Sequence, residues 1–328
     1  MNIIPPFKEI DEALVNEFLK EKNVTPRFSP TQKAYYGYMR RFIPAFVRRK
    51  LQYYRLNRIR YKENFIQEEL INILKDRRPA SDAFHSLYPK NETACIILTH
   101  DVEEEEGFRF IPKVIELEAS YGFRSSWNIV PYKYKIDDGI INFINSQGHE
   151  VGIHGYNHDG KLYYSENIFR ERVPFINTAL HKYHAVGFRS PMVHRNLQWL
   201  QMLEIEYDSS FFDYDPFQQF PGGTGSIWPF IAGRFTELPY TLPQDHTLFY
   251  VLRQKDISIW MNKINWIIQN HGVVLSLTHP DYLIRSDHFR LYEELLKYLV
   301  EIPDTWHCLP KEVSRWWSNK YTHTRSIN

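Results

Sequence analysis

The sequence predicts an α/β protein, a barrel of parallel strands with a mainly helical N-terminal extension. Two observations carry this expectation. From residue 94 onward, short apolar runs alternate with amphipathic stretches of helical length. Such alternation implies parallel strands joined by crossover helices, and about seven units of it fit a barrel better than an open sheet. The second observation is that the conspicuous polar residues fall just after the expected strands, five times over.

Taken in order, 94–98 is a continuous apolar run and reads as a buried strand. A helix over 108–121 stops at Gly122, a strand covers 124–130, and a helix over 139–147 stops at Gly148. Strands at 150–153, 185–188, 205–207 and 273–277 then alternate with helices at 165–182, 197–203, 257–270 and 288–299. A last helix is expected over 311–317. Residues 213–250, with the glycine-rich run 221–225 inside them, break the rhythm and read as a long loop or hairpin over the barrel mouth. The composition changes near residue 90, so the expected organisation is an extension over 1–90 and a barrel domain over 91–328.

Composition narrows the function classes. The chain has 328 residues, of which 43% are hydrophobic and 24% charged, as in an ordinary globular protein with a sizeable core. A formal net charge of +1 provides no global field toward nucleic acid, and no nucleic-acid partner is expected. The 16% aromatic content fits core packing first, and also a cleft that stacks on sugars. Cys95 lies in an apolar run, and two cysteines make no disulfide framework, which favours a reducing compartment. The N-terminus lacks the charged start, apolar core and cleavage site of a signal peptide. No stretch reaches the ~18 uncharged apolar residues of a membrane span. A cytoplasmic location is therefore expected. The segment from Arg40 to Lys62 is rich in Arg and Lys, has no acid, and carries apolar residues at helical spacing. It reads either as a helix with a solvated basic face or as a peripheral contact with anionic membrane or a carrier phosphate.

The polar clusters are Thr99-His-Asp101 with Glu103, His154 with His158, Arg189-Ser-Pro191, Asp208-Ser-Ser210, and His279. In a parallel barrel the carboxyl ends of the strands share one face, where catalytic groups gather. His154 and His158 are four apart, a spacing that on a helical turn points both imidazoles the same way. Two His and one carboxylate, with a position open for water, make a catalytic rather than a structural metal set. His194 and Asp281 also follow strand ends and could contact substrate or anchor loops, whereas His100 and His149 read as structural.

This ordered set resembles the five motifs of the polysaccharide deacetylases, the NodB-homology or carbohydrate esterase family 4 enzymes, over about residues 94–317. The resemblance implies a distorted (β/α)7 barrel and a metal-dependent hydrolase that removes N-acetyl groups from a carbohydrate. It implies that Asp101 is the general base and that Arg189 pairs with it. His154 and His158 would hold a divalent metal, usually zinc, with cobalt, manganese or nickel as alternatives. His279 would be the general acid, oriented and charged by Asp208. The family usually has two adjacent aspartates in its first motif, base then ligand, but here Val102 follows Asp101. Glu103 is then the expected third ligand, with Glu104 or a water-only position as alternatives. Gly155 stands where the family often has Ser or Thr, a change expected to matter little. With no export signal, the expected substrate is a sugar nucleotide or a lipid-linked glycan of surface polysaccharide assembly. The competing readings are a non-catalytic glycan-binding barrel and a hydrolase of another small amide.

Overall fold

A computed structural model describes residues 87–322 apart from 219 and 221, preceded by scattered shorter stretches of which 29–39 is the longest. Most of the basic segment 40–62, Arg48 and Arg49 included, and most of the expected helical extension lie outside the described residues. Ahead of the barrel come strand β1 (Ile3–Ile4) and the short helix α1 (Pro30–Ala34), which is capped by Ser29.

The barrel begins with β2 (Ala94–Val102), every residue of which is buried. There follow α2 (Glu105–Ser120), β3 (Ser125–Ile129), α3 (Asp138–Ser146), β4 (Glu150–His154), α4 (Glu166–Lys182), β5 (Gly187–Arg189), the short α5 (Leu197–Leu200) and β6 (Tyr207–Asp208). Strands β7 (Phe230–Ala232) and β8 (Phe235–Glu237) form a hairpin inside the stretch where a loop or hairpin was expected. After it come α6 (Ser258–Gln269), β9 (Val273–Thr278), α7 (Pro280–Leu283), α8 (Ser286–Val300), β10 (Thr305–His307) and α9 (Pro310–Thr322).

Strands β2 to β6 pair in parallel in chain order, and β8 joins β6. On its other side β2 pairs with β9. The sheet curls into a distorted half-barrel, and past β8 the N–H groups of Thr241 and Leu242 both donate to the Leu275 carbonyl of β9. The short strand β10 was not anticipated. It is a half-buried Thr-Trp-His segment that pairs with the first residues of β2, below the point where β3 takes over. Strand β1 adds antiparallel to β7, and Leu19 and Leu87 join the barrel core, so parts of the first 90 residues pack on the barrel.

The lower interior is filled from the strands themselves. The Tyr207 ring lies across Gly187, where an added Cβ would stand 1.9 Å from it, and its hydroxyl donates to Glu150. Outside the sheet, the residues expected to be structural prove so. The buried Glu118 of α2 meets His100 at 2.7 Å, Ser125 at 2.6 Å and the Tyr292 hydroxyl of α8, while His149 stands 3.7 Å away. On its other ring nitrogen, His100 meets Thr278 at 2.8 Å. Burial alone would raise the Glu118 carboxyl, but His100, His149 and Ser125 outweigh it and hold the pKa below its ordinary value. The thiols of Cys95 and Cys308 are buried, unlinked and 3.1 Å apart. Among the described residues no helix is long and apolar enough to cross a membrane.

Removing one member of a buried charged network strands the others, at about 3–5 kcal/mol. Glu118→Ala is expected to destabilise the barrel by that order in denaturant titration. Glu105→Ala, at an exposed pair on the same helix, should change stability by less than about 1 kcal/mol.

Candidate metal centre and flanking groups

The side chains of β2 alternate across the sheet. His100 points to the helices, and Asp101, next in line, points into the barrel mouth. Register then sets its neighbours. Asp101 is level with Asn128 on β3, and His154 on β4 is level with Arg189 on β5. Six of the sequence-predicted residues, Asp101, Glu103, His154, His158, Arg189 and His279, thus come together at one end of the barrel.

Glu103, His154 and His158 each offer one ligand atom, and these atoms lie within 4.8 Å of one another. His154 Nδ1–H donates to the Arg189 carbonyl at 3.1 Å, which leaves Nε2 as the free lone pair. That Nε2 is buried without a hydrogen bond, as is Nε2 of His158. Glu103 Oε1 stands 3.0 Å from the latter. Burial, outweighing the nearby carboxylates, drives the His154 pKa down to about 4, so it is neutral as a ligand must be. Glu103 is held well below the usual carboxylate range, because the neighbouring histidines, His158 foremost, outweigh its burial. The donor set therefore fits a divalent ion. Glu104 instead pairs with Lys133 at 2.6 Å, on the surface.

The histidines converge by a different route from the helical turn their spacing suggested. His154 ends strand β4 and His158 sits in the loop beyond, at φ 56°. The reversal needs Gly155 at φ 67°, where a Cβ would also fall 2.2 Å from the Pro191 ring. The glycine expected to be inconsequential is thus demanded by the ligand loop. Tyr156, between the two ligands, packs against Tyr132 and Phe175 at centroid distances of 4.8 and 5.8 Å.

Asp101 is buried and faces Arg189 at 3.5 Å, as expected. It also accepts from Asn128 Nδ2 at 2.9 Å. Burial would raise its pKa, but the charges of His154, Arg189 and His279 and the Asn128 bond lower it overall. Gly152 makes room for Asn128, since a Cβ there would lie 2.1 Å from its Oδ1. Asn128 was missed, although an Asn inside a fully buried strand was a visible signal.

His279 follows β9, and its Nε2 stands 3.9 Å from Glu103 Oε1. Its carboxylate partner is Asp245, which corrects the role expected for Asp208. Asp245 Oδ1 meets His279 Nδ1 at 2.7 Å, and Oδ2 accepts the His279 backbone N–H at 2.7 Å. Burial disfavours the imidazolium, but Asp245, with Glu103 and Asp101, outweighs it and raises the pKa to about 10. Asp208 turns to Ser210, accepting from its N–H at 3.0 Å and its Oγ at 2.7 Å. Burial and the Asp208 charge push the neighbouring Glu237 carboxyl well above its ordinary pKa. In the same motif Ser209 Oγ accepts from Arg189 Nε and Nη2 at 3.1 and 2.9 Å. The Asp208-Ser-Ser segment thus braces Arg189 rather than His279. Asp245 lies in the irregular stretch 213–250, and no strand-end signal marked it. His194 is buried against Phe220.

Two outcomes are expected from metal content measured on purified variants. His154→Ala and His158→Ala should each lose the metal, and full occupancy in either would dissolve the assignment. Glu103→Gln should weaken binding while Glu104→Gln leaves it intact; equal, small effects would return Glu103 to a helix-terminal role.

No family model matches the chain, and no curated protein does. Solved structures do. A protein assigned as a polysaccharide deacetylase from Mycobacterium smegmatis is 16% identical, over 71% of this chain and 93% of its own, with a TM-score of 0.57. An allantoinase is 14% identical over 80% and 99%, with a TM-score of 0.58. Another protein assigned as a polysaccharide deacetylase, from Pseudomonas aeruginosa, is 14% identical over 71% and 94%, with a TM-score of 0.55. At such identities the likeness is one of fold, and the fold of this chain is that of the polysaccharide deacetylases.

Proposed function

We propose that the chain is a metal-dependent hydrolase of carbon–nitrogen bonds that removes the acetyl group from an N-acetylated carbohydrate. The observation that carries this reading is the placement of an acid and a base at the ligand cluster. Asp101 Oδ2 is 3.8 Å from His154 Nδ1, on the His154 side, and His279 Nε2 is 3.9 Å from Glu103 Oε1, on the other. When bound to Glu103, His154 and His158, a divalent ion such as zinc supplies a Lewis acid toward the acetyl carbonyl and a more acidic water.

The residues do the rest. Asp101, held ionised by Arg189 and Asn128, takes a proton from the attacking water. The water oxygen joins the carbonyl carbon and the carbon–nitrogen bond breaks. His279 Nε2 gives its proton to the departing nitrogen, so acetate and a free amine leave. Asp245 fixes the ring through Nδ1 and favours the protonated form that this step needs. A lowered base and a raised acid leave both in the required state over a broad interval of pH.

The sugar we propose is a sugar nucleotide or lipid-linked glycan intermediate, with the basic segment 40–62 meeting membrane or carrier phosphate. This part rests on sequence alone. Acetate release across a panel of N-acetylated sugars and small amides tests it. Turnover of a non-sugar amide only would keep the chemistry and move the substrate. Absence of bound metal together with absence of turnover would favour a non-catalytic glycan-binding barrel.

The pH profile of kcat/KM should be bell-shaped. Asp101→Asn should keep the metal and lose about 10²–10⁴-fold in rate. Asp245 raises the His279 pKa, so Asp245→Asn should move the alkaline limb to lower pH, whereas an unmoved limb would exclude His279 as the acid. His279→Ala should slow amide cleavage far more than cleavage of an activated ester, whose leaving group needs no proton.

A further inference from the structure

Glu103 belongs to no secondary-structure element. It lies between the end of β2 at Val102 and Glu104, which occupies the N-cap position of α2. A ligand on such a junction is only as well placed as its backbone. Glu104 makes no side-chain cap bond, so α2 begins without a local cap.

The amides at the entry to α2 are instead held from across the barrel mouth. Asp281, two residues past His279 and the second residue of α7, accepts the Glu103 N–H on Oδ2 at 2.9 Å and the Glu104 N–H on Oδ1 at 3.0 Å. The carboxylate lies so close to the α2 backbone that a Cβ on Gly107 would stand 2.3 Å from Oδ1 and 2.5 Å from Cγ. Glycine at 107 is therefore required for Asp281 to reach both amides. Few arrangements satisfy both oxygens of one carboxylate with consecutive main-chain N–H groups, and this one defines the Glu103 backbone closely.

We infer that Asp281 is a positioning residue of the metal centre, clamping the backbone from which Glu103 reaches toward His158 and tying that ligand to the strand end that carries His279. The inference rests on the proposed metal-binding reading. It adds that the ligand and the proposed acid are held in register by one carboxylate that touches neither substrate nor metal. Supporting partners of this kind typically alter metal affinity by about 10–100-fold when removed.

The test uses zinc as the probe and the full chain as the protein. Zinc affinity is measured by competition with a chromophoric chelator, and the melting temperature of the zinc-free protein is measured alongside. Asp281→Ala should weaken zinc binding by about 10–100-fold. Gly107→Ala, which pushes the carboxylate away while favouring the helix, should weaken it too, and serves if Asp281→Ala folds poorly. The double variant Asp281→Ala/Glu104→Ser gives α2 a local cap but leaves the Glu103 amide unclamped. It should regain melting temperature without regaining zinc affinity. Wild-type affinity in Asp281→Ala, or affinity and melting temperature regained together in the double variant, would overturn the inference and reduce Asp281 to a helix cap. Failure of the wild-type protein to bind zinc would instead remove the metal reading itself, and this inference with it.

Discussion

Two imidazole nitrogens, Nε2 of His154 and Nε2 of His158, are buried without hydrogen bonds within ligand distance of a carboxylate. A buried polar atom left unsatisfied costs about 1–3 kcal/mol, and the Glu103 carboxylate, 3.0 Å from His158 Nε2, answers that nitrogen but leaves His154 Nε2 unmet. A divalent ion resolves this, because it takes both lone pairs and the Glu103 charge together. Much of the barrel mouth follows from keeping those three atoms converged. The Arg189 carbonyl sets the His154 tautomer, Gly155 gives the loop its reversal, and Pro191 packs against that glycine.

Around this centre the charges are divided rather than pooled. Asp101 is drawn to Arg189 and Asn128 and stays ionised, whereas His279 is drawn to Asp245 and gains a proton. Groups whose environments push their pKa values apart are suited to opposite roles in one reaction. Each of the two has its own support. Ser209 and the Asp208–Ser210 turn hold the arginine, and the stretch leading into the π-helical turn His246–Val251 presents Asp245. Behind both, the Glu118–His100–Thr278 network joins β2 to β9 on the helix side of the sheet, so Asp101 and His279 are carried on braced neighbouring strands.

What could be read in the sequence divides along the same lines. Asp101, His154, Arg189 and His279 were legible because parallel strands deliver their exits to one face, and each follows an apolar run. Glu103 could be named but not separated from Glu104, since four successive acids look alike until the helix start is located. The pairing of the two histidines was anticipated for the wrong reason. A spacing of four suggested a helical turn, while the chain uses a strand end and a glycine reversal. Asp245 was illegible because a long-range contact delivers it from a stretch without periodicity, and Asp208 was given its role by motif order alone. The strand β10 escaped because three half-buried residues carry no apolar run.

The central claim is that Glu103, His154 and His158 together hold a metal ion. X-ray absorption on the zinc-loaded protein addresses it directly. Two imidazole nitrogens and one carboxylate oxygen, at about 2.0–2.2 Å with the remaining coordination from water, is the expected first shell. A shell lacking imidazole, or one unchanged when both histidines are replaced, would contradict the account.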